Sequence, residues 1–301
     1  MRALAAYILR GRTQAAGVAS VLGLLGLYLP PLTLLSGATV ALVTLRFGLW
    51  QGTSVTLLGT AICALVSSVA LGTPLPIAGL LVIWVPCLLG AQVLFRTRSQ
   101  GLMLFVLGGL ALLAAGALRL FITDVDDWWR YLLDNLLKQL LAGSEPEQVQ
   151  TLVKVLAPQM NGIFVATLLL SLVMSLLLAR WWQSLLLNPG GFGREYQQLA
   201  LPRMLSLAAV LAVGFDSLVG GIGILHDAVD LLAVMYMLQG LAVLHRLVAL
   251  KRLPGGMLVA AYVLVGLVAH YGVILMASIG IADAIIDLRG LRGPRDAGPD
   301  A

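Results

Sequence analysis

Residues 101–122 read GLMLFVLGGLALLAAGALRLFI, a long apolar run whose one charge, Arg119, stands near its end. About 20 such residues form a helix that crosses about 30 Å of hydrocarbon. In lipid, backbone groups must be satisfied inside the segment itself, which a helix does. The run therefore predicts a transmembrane helix. Further apolar segments recur at about 15–29, 32–46, 52–71, 75–95, 161–187, 204–223, 229–250, 255–270 and 272–288. Two pairs are short. Pro30 and Pro31 separate 15–29 from 32–46, and only His270, Tyr271 and Gly272 divide 255–270 from 272–288. Each short pair reads as two tilted spans, one broken helix or a re-entrant hairpin, so the chain predicts eight to ten membrane segments.

The composition agrees. Of 301 residues, 60% are hydrophobic and 11% charged, and the mean hydropathy is +0.98. A soluble domain carries about 25% charged and about 45–50% apolar residues, and so few charges cannot cover a surface in water. The expected fold is all-α, a polytopic transmembrane helical bundle forming one transmembrane domain over 1–301. The net charge of +5 would raise nucleic-acid binding in a soluble protein. Here the basic residues stand in short loops, and no nucleic-acid role is expected. Cys63 and Cys87 lie in separate apolar segments without metal spacing and read as buried, inert thiols. Arg2, Arg10 and Arg12 precede an apolar run with no small-residue cleavage site after it, which reads as an uncleaved first span.

Charge sets the expected orientation. With the N-terminus cytoplasmic and every segment crossing, all but four of the 19 Lys and Arg fall on the cytoplasmic side. The four are Arg119, Arg130, Lys138 and Lys154, in or beside one long outer loop. This asymmetry predicts N-in, and Arg289, Arg292 and Arg295 predict C-in, with 290–301 a flexible cytoplasmic tail.

The outer loop, about 123–160, carries Asp124, Asp126, Asp127, Asp134, Glu145 and Glu147. Trp128 to Leu141 is amphipathic. Trp129, Leu132, Leu133, Leu136, Leu137, Leu140 and Leu141 follow helical spacing, and Arg130, Asp134 and Lys138 line the other face. A second short helix is expected from Ser144, with Glu147 completing a capping box, Pro146 in the first turn and an apolar stripe of Val149, Leu152, Val153 and Leu156. Two interfacial helices roofing the bundle, or a lid over an outward-facing site, both fit.

The inner loop Asn188-Pro189-Gly190-Gly191-Phe192-Gly193-Arg194-Glu195 imposes tight backbone geometry. No strand precedes it and no Lys-Ser/Thr follows, so it reads as a structured turn offering a partner contact, not a phosphate cradle.

Charged groups at bilayer depth cost several kcal/mol unless paired or hydrated. Asp216 lies inside 204–223. Gly220, Gly221 and Gly223 follow it, then His226, Asp227 and Asp230. His226 and Asp230 share a helix face. His and carboxylates together admit a metal site, but three polar residues in one turn read better as a solvated helix start, with Asp227 favoured by the macrodipole. Asp216, His226 and Asp230 are the candidate ligand-binding residues. Asp283 and Asp287 repel each other at i, i+4 unless neutralised, and Arg289 and Arg292 stand close in sequence. They read as a helix terminus with local ion pairs, or as part of a partner contact. His270 reads as interfacial. Small residues at four-residue spacing, Ala15 with Ala19, Ala16 with Ser20 and Ala111 with Ala115, allow close helix approach. No HExxH, CxxC or Walker motif and no nucleophile–base–orienter set occurs, and neither enzymatic activity nor a cofactor is expected.

The Asn188–Glu195 loop leads, after Tyr196, to Leu201-Pro202-Arg203. Farther on come Leu238-Gln239-Gly240-Leu241-Ala242-Val243 and the ending Gly280-Ile-Ala-Asp283-Ala-Ile-Ile-Asp287-Leu-Arg289. Together these stretches resemble the YybS-like family of bacterial multi-pass inner-membrane proteins. That family is similar at superfamily level to the substrate-binding subunits of energy-coupling-factor vitamin transporters and to the rod-shape protein MreD. Family members often carry aromatics between the two terminal acids; here Ala284, Ile285 and Ile286 stand there. The resemblance implies a helical, substrate-subunit-like bundle in a bacterial inner (cytoplasmic) membrane, without implying a substrate. It also implies that Ala15, Ala16, Ala19 and Ser20 contact a transmembrane coupling subunit, which works with an ATPase. Three functions are set against each other: a transport-related small-molecule binding subunit, for which few convergent polar groups argue against a charged substrate; a non-enzymatic scaffold for cell-envelope assembly or other membrane partners; and an intramembrane enzyme using His226, Asp227 and Asp230.

Overall fold

The structure, a computed structural model, describes residues 1–141, 146–221 and 223–290, and among them every regular element is helical. The helices are α1 (Arg2–Ile8), α2 (Arg12–Gly26), α3 (Pro31–Phe47), α4 (Leu49–Leu71), α5 (Pro76–Thr97), α6 (Gln100–Phe121), α7 (Val125–Leu140), α8 (Pro146–Leu156), α9 (Met160–Leu187), α10 (Gly191–Tyr196), α11 (Arg203–Val219), α12 (Gly223–Ala249), α13 (Gly256–Leu267) and α14 (Ala269–Ile286). Each expected apolar segment is one of these helices. Among the described residues, six stretches are long and apolar enough to cross a membrane: α4, α5, α6, the run Glu147–Leu187 that contains α9, α12 and α14; α3 and α13 are apolar but shorter.

The side-chain pattern of α4 shows which solvent these helices meet. Its buried positions are Gly52, Val55, Thr56, Gly59, Cys63 and Ser67, recurring every three or four residues. Its exposed positions include Leu57, Leu65, Val66 and Val69. A helix in water buries its apolar stripe. This one turns its apolar face out and packs through small residues, as helices in lipid do.

The chain forms two compact units. Unit 1 is Met1–Leu107 with Leu170–Leu201, and unit 2 is Gly108–Leu169 with the chain from Pro202 on. In unit 1, α2 and α3 are separate antiparallel helices. Ser36 Oγ donates to the Ala19 carbonyl at 2.7 Å, and Thr33 lies against Gly26 beside the turn. Trp84 Nε1 donates to Ser36 Oγ at 2.8 Å, and Ser20 Oγ to the Gly59 carbonyl at 3.2 Å, which ties in α5 and α4. Cys63 and Cys87 are free and buried.

In unit 2, α12 and α14 run the same way and cross at Gly240 and Gly280. A Cβ at Gly240 would overlap the Met276 carbonyl, and one at Gly280 would overlap the Tyr236 carbonyl. Only glycine permits this backbone approach. Val268 alone separates α13 from α14, yet the Gly272 backbone lies against Val265. Seven residues along an unbroken helix span about 10 Å, so the chain doubles back here and the second short pair is also two helices.

The amphipathic stretch 128–141 forms α7, which starts three residues earlier than the pattern indicates. Asp124 caps it, accepting from the Asp127 N–H at 2.9 Å. Val125, Trp129 and Leu133 pack against Val149, Val153 and Ala157, and the Trp129 ring meets Phe164 at 5.6 Å. Leu132, Leu136, Leu140 and Leu141 remain exposed, leaving four of the seven residues of the predicted stripe outside the protein core. The expected Ser144 cap and the tail beyond 290 lie outside the described residues.

Candidate functional site

Three polar clusters interrupt this apolar fold. Two lie in unit 2 and one in unit 1.

The first is built by the turn between α11 and α12. Gly220 and Gly221 take φ of +88° and +68°, and the Gly221 N–H closes on the Asp216 carbonyl at 2.9 Å. L-residues rarely adopt this left-handed backbone, so the glycines allow the chain to reverse within a few residues. The reversal brings His226 back onto Asp216, with Nδ1 to Oδ2 at 3.0 Å. Asp216 is buried. Asp230, one turn beyond His226 on α12, interacts with the charges of His226, Asp227, Asp216 and His270. The structure thus brings the three candidate ligand residues together at one end of unit 2. His270 is exposed beside Tyr271.

Asp227 points elsewhere, and here the sequence expectation fails. A solvated helix start is expected; the structure buries Asp227 completely, because α12 begins at Gly223 and turns this side chain inward. Arg119 grips it with Nε to Oδ2 at 2.6 Å and Nη2 to Oδ1 at 3.0 Å, and Asn161 Nδ2 donates to Oδ2 at 2.7 Å. Asp126 adds a longer contact to Arg119 at 3.8 Å. A two-pronged guanidinium–carboxylate pair fixes geometry as well as charge. Arg119 and Asn161 are the residues that sequence reasoning missed as site members. Arg119 stands 108 positions from its partner, and its place at a span edge suggests only an interfacial charge. Gly162 allows the approach, since a Cβ there would overlap the Asp230 carboxylate. Asp216 Oδ1 and Asn161 Oδ1 are buried and accept no hydrogen bond from the described residues. Among those residues no three His, Cys, Asp or Glu side chains converge as a metal site.

The second cluster centres on Asp283, also buried. Arg289 holds it with Nη2 to Oδ2 at 2.7 Å and Nε to Oδ1 at 3.1 Å, and Gln239 Nε2 donates to Oδ2 at 2.9 Å. Its carboxylate is therefore engaged inside unit 2. Asp287 caps α14 in the left-handed conformation, φ 53°, which lets the chain turn and return Arg289 to Asp283. Arg203 donates to the Ile285 carbonyl at 3.1 Å, closing α11 onto the end of α14.

The third cluster belongs to the inner-loop motif. Asn188, Pro189, Gly190, Gly193 and Arg194 are exposed, Phe192 is half-buried and Gly191 is buried. Gly190 takes φ +80°, Gly191 opens α10, and Phe192 stacks on Tyr196 at 6.3 Å. The same short helix presents Glu195 to Arg180, with Nε to Oε2 at 2.7 Å and Nη2 to Oε1 at 2.6 Å. Arg180 also donates to Gln183, whose Nε2 reaches the Leu45 carbonyl at 3.0 Å.

These features define an all-helical, multi-pass membrane protein with ionisable pairs buried inside it. No protein-family model, no curated protein and no solved structure matches the chain.

Proposed function

We propose that this chain is a transport-related subunit that binds a small organic molecule at the Asp216–His226–Asp230 cluster. The observation that carries the reading is this cluster itself. Intramembrane ionisable residues are rare, costly and functional by default. Asp216 Oδ1 within the cluster, and Asn161 Oδ1 on the residue that holds neighbouring Asp227, are buried acceptors that no described protein group satisfies. A ligand bearing hydroxyl or amine donors would complete them; leaving a buried acceptor unpaired costs about 1–3 kcal/mol.

The topology we propose is ten segments, α2–α6, α9 and α11–α14, with N-in and C-in. It is supported within each unit by where the arginines gather. In unit 1, Arg46, Arg98 and Arg180 line one cavity. In unit 2, Arg203 at the start of α11 donates to the Ile285 carbonyl near the end of α14, and Arg289 follows that helix and returns to its Asp283. A cytoplasmic location for both ends satisfies the positive-inside bias. The ligand cluster then lies toward the outer face. Membership of the YybS-like family, a bacterial inner membrane and a coupling subunit with an ATPase are parts of the same proposal, on the motifs quoted above.

The test is to purify tagged protein in mild detergent and analyse extracted small molecules and co-purifying proteins by mass spectrometry. One metabolite enriched with the parent and lost from Asp216→Asn supports the reading. Equal enrichment in the variant sinks the assigned site. Envelope-assembly proteins with no enriched metabolite would favour the scaffold function instead.

A further inference from the structure

The third cluster borders a cavity of about 280 Å³ in unit 1, with Arg46, Arg98, Arg180, Gln183, Glu195 and Phe95 in its wall. Its charges are unequal. Arg180 is committed to Glu195 through Nε and Nη2 and to Gln183 through its remaining nitrogen. Gln183 is in turn held by the Leu45 carbonyl, so this wall is fixed. Arg46 and Arg98 have no acidic partner among the described residues. The Arg46 guanidinium lies 5.8 Å from the Phe47 ring centre and makes no ion pair there. Three guanidinium groups thus face one carboxylate.

The simplest rival is that Arg46 and Arg98 only neutralise helix ends, since Arg46 stands in the last turn of α3 and Arg98 caps α5. A helix C-terminus carries roughly half a negative charge. Two such ends cancel about one of the two surplus positive charges, and the cavity keeps a net positive field. Arg98 is also held at φ 54°, a backbone that non-glycine residues rarely adopt. In that conformation, at the C-terminal cap of α5, Arg98 lines the cavity.

We propose that this cavity binds a phosphate-bearing anion, with Arg46 and Arg98 as its direct ligands and the Arg180–Glu195–Gln183 network as the fixed back wall. Arginine suits the role because its planar fork matches phosphate oxygens two at a time. The phosphate can belong to an anionic lipid headgroup or to a free phosphorylated molecule. Basic pockets between helices near a membrane surface take headgroups of this kind. The site is separate from the Asp216 cluster, and its test does not depend on that reading.

The experiment measures binding of cardiolipin and, separately, of inorganic pyrophosphate to the purified protein in dodecyl maltoside, by native mass spectrometry and by the rise in melting temperature. Diacylglycerol, which lacks phosphate, is the blank. The double variant Arg46→Gln/Arg98→Gln is compared with the parent, with each single variant, and with Arg252→Gln, an exposed arginine outside the cavity wall. Binding should weaken at least about tenfold in the double variant, as expected for losing two charge-assisted contacts. It should weaken partly in each single variant and stay unchanged in Arg252→Gln. Loss of the cardiolipin response alone assigns the phosphate to a lipid, and loss of the pyrophosphate response assigns it to a soluble ligand. Equal binding by parent and double variant, an equal response to diacylglycerol, or no response to either phosphate overturns the proposal. Each single variant removes one unpaired surface arginine, so the comparison stands even where the double variant folds poorly.

Discussion

Asp227→Ala is the substitution whose cost the structure defines best. It removes a fully buried carboxylate and leaves Arg119, whose side chain is 21% exposed, with only its longer 3.8 Å contact to Asp126. Breaking a buried pair by deleting one member costs about 3–5 kcal/mol. The partial exposure lets water reach the orphaned guanidinium, which places the expected value at the low end, about 3 kcal/mol. Asn161 also loses its charged acceptor, but single interhelical hydrogen bonds in membranes average only about 0.6 kcal/mol, so Asn161→Ala alone should cost about 1 kcal/mol or less. Replacing both partners by apolar residues, Arg119→Met with Asp227→Leu, should recover most of the loss, because the penalty lies in the uncompensated charge. Reversible unfolding in mixed dodecyl maltoside and SDS micelles reads all four proteins on one scale. If Asp227→Ala falls within about 0.5 kcal/mol of the parent, in the range of exposed ion pairs, Asp227 is hydrated and the buried pair is wrong. If the double variant is no better than Asp227→Ala, the cost is one of packing and not of charge.

Two further outcomes test the fold. Gly240→Ala and Gly280→Ala should each destabilise by about 1–3 kcal/mol, since each Cβ strikes a carbonyl of the facing helix and forces α12 and α14 apart. Gly109→Ala, with open space around it, should be neutral or slightly stabilising in the same unfolding assay. Orientation is read by thiol labelling in a Cys63→Ala/Cys87→Ala background. Arg194→Cys should react with a membrane-impermeant maleimide only after the cells are opened, and Asp134→Cys in intact cells; the reverse pattern inverts the proposed topology.

Helix positions were legible because lipid imposes one simple rule, about 20 apolar residues per crossing, and the segments at 52–71, 75–95 and 101–122 all became helices of spanning length. The short pairs were not legible. Whether 255–288 is one helix or two depends on a single bend at Val268, a residue with no turn signature of its own. The Asp216–His226 contact was half visible, since Gly220 and Gly221 mark a tight turn and the turn dictates the pairing. Asp227 was misjudged for a physical reason. Its neighbours in sequence suggest a wet helix end, and burial is decided by Arg119 and Asn161, which arrive from α6 and α9. Only tertiary structure brings those side chains within reach.

Both buried pairs of unit 2 share one arrangement. Arg119 reaches Asp227 two-pronged with Asn161 as third partner, and Arg289 reaches Asp283 two-pronged with Gln239 as third partner. Neither pair is a strong source of stability, because desolvation offsets most of the Coulomb gain. Each does exclude alternatives. Rotating α12 by one residue would turn Asp227 about 100° away from Arg119 and strand both charges in apolar surroundings. Shifting α14 by one residue would separate Asp283 from Gln239 in the same way. The glycine contact at Gly240 and Gly280 tolerates neither movement. A bundle made mostly of leucine, alanine and valine has many near-equivalent packings, and these two pairs with the glycine crossing select one of them. That fixed register is what holds Asp216 of α11 and His226 and Asp230 of α12 at a common end of unit 2. The apolar double variant of Arg119 and Asp227 separates the two roles. If the pair sets register, the variant will retain stability but lose whatever binding depends on the Asp216 cluster; if it retains both, packing alone suffices to place the helices.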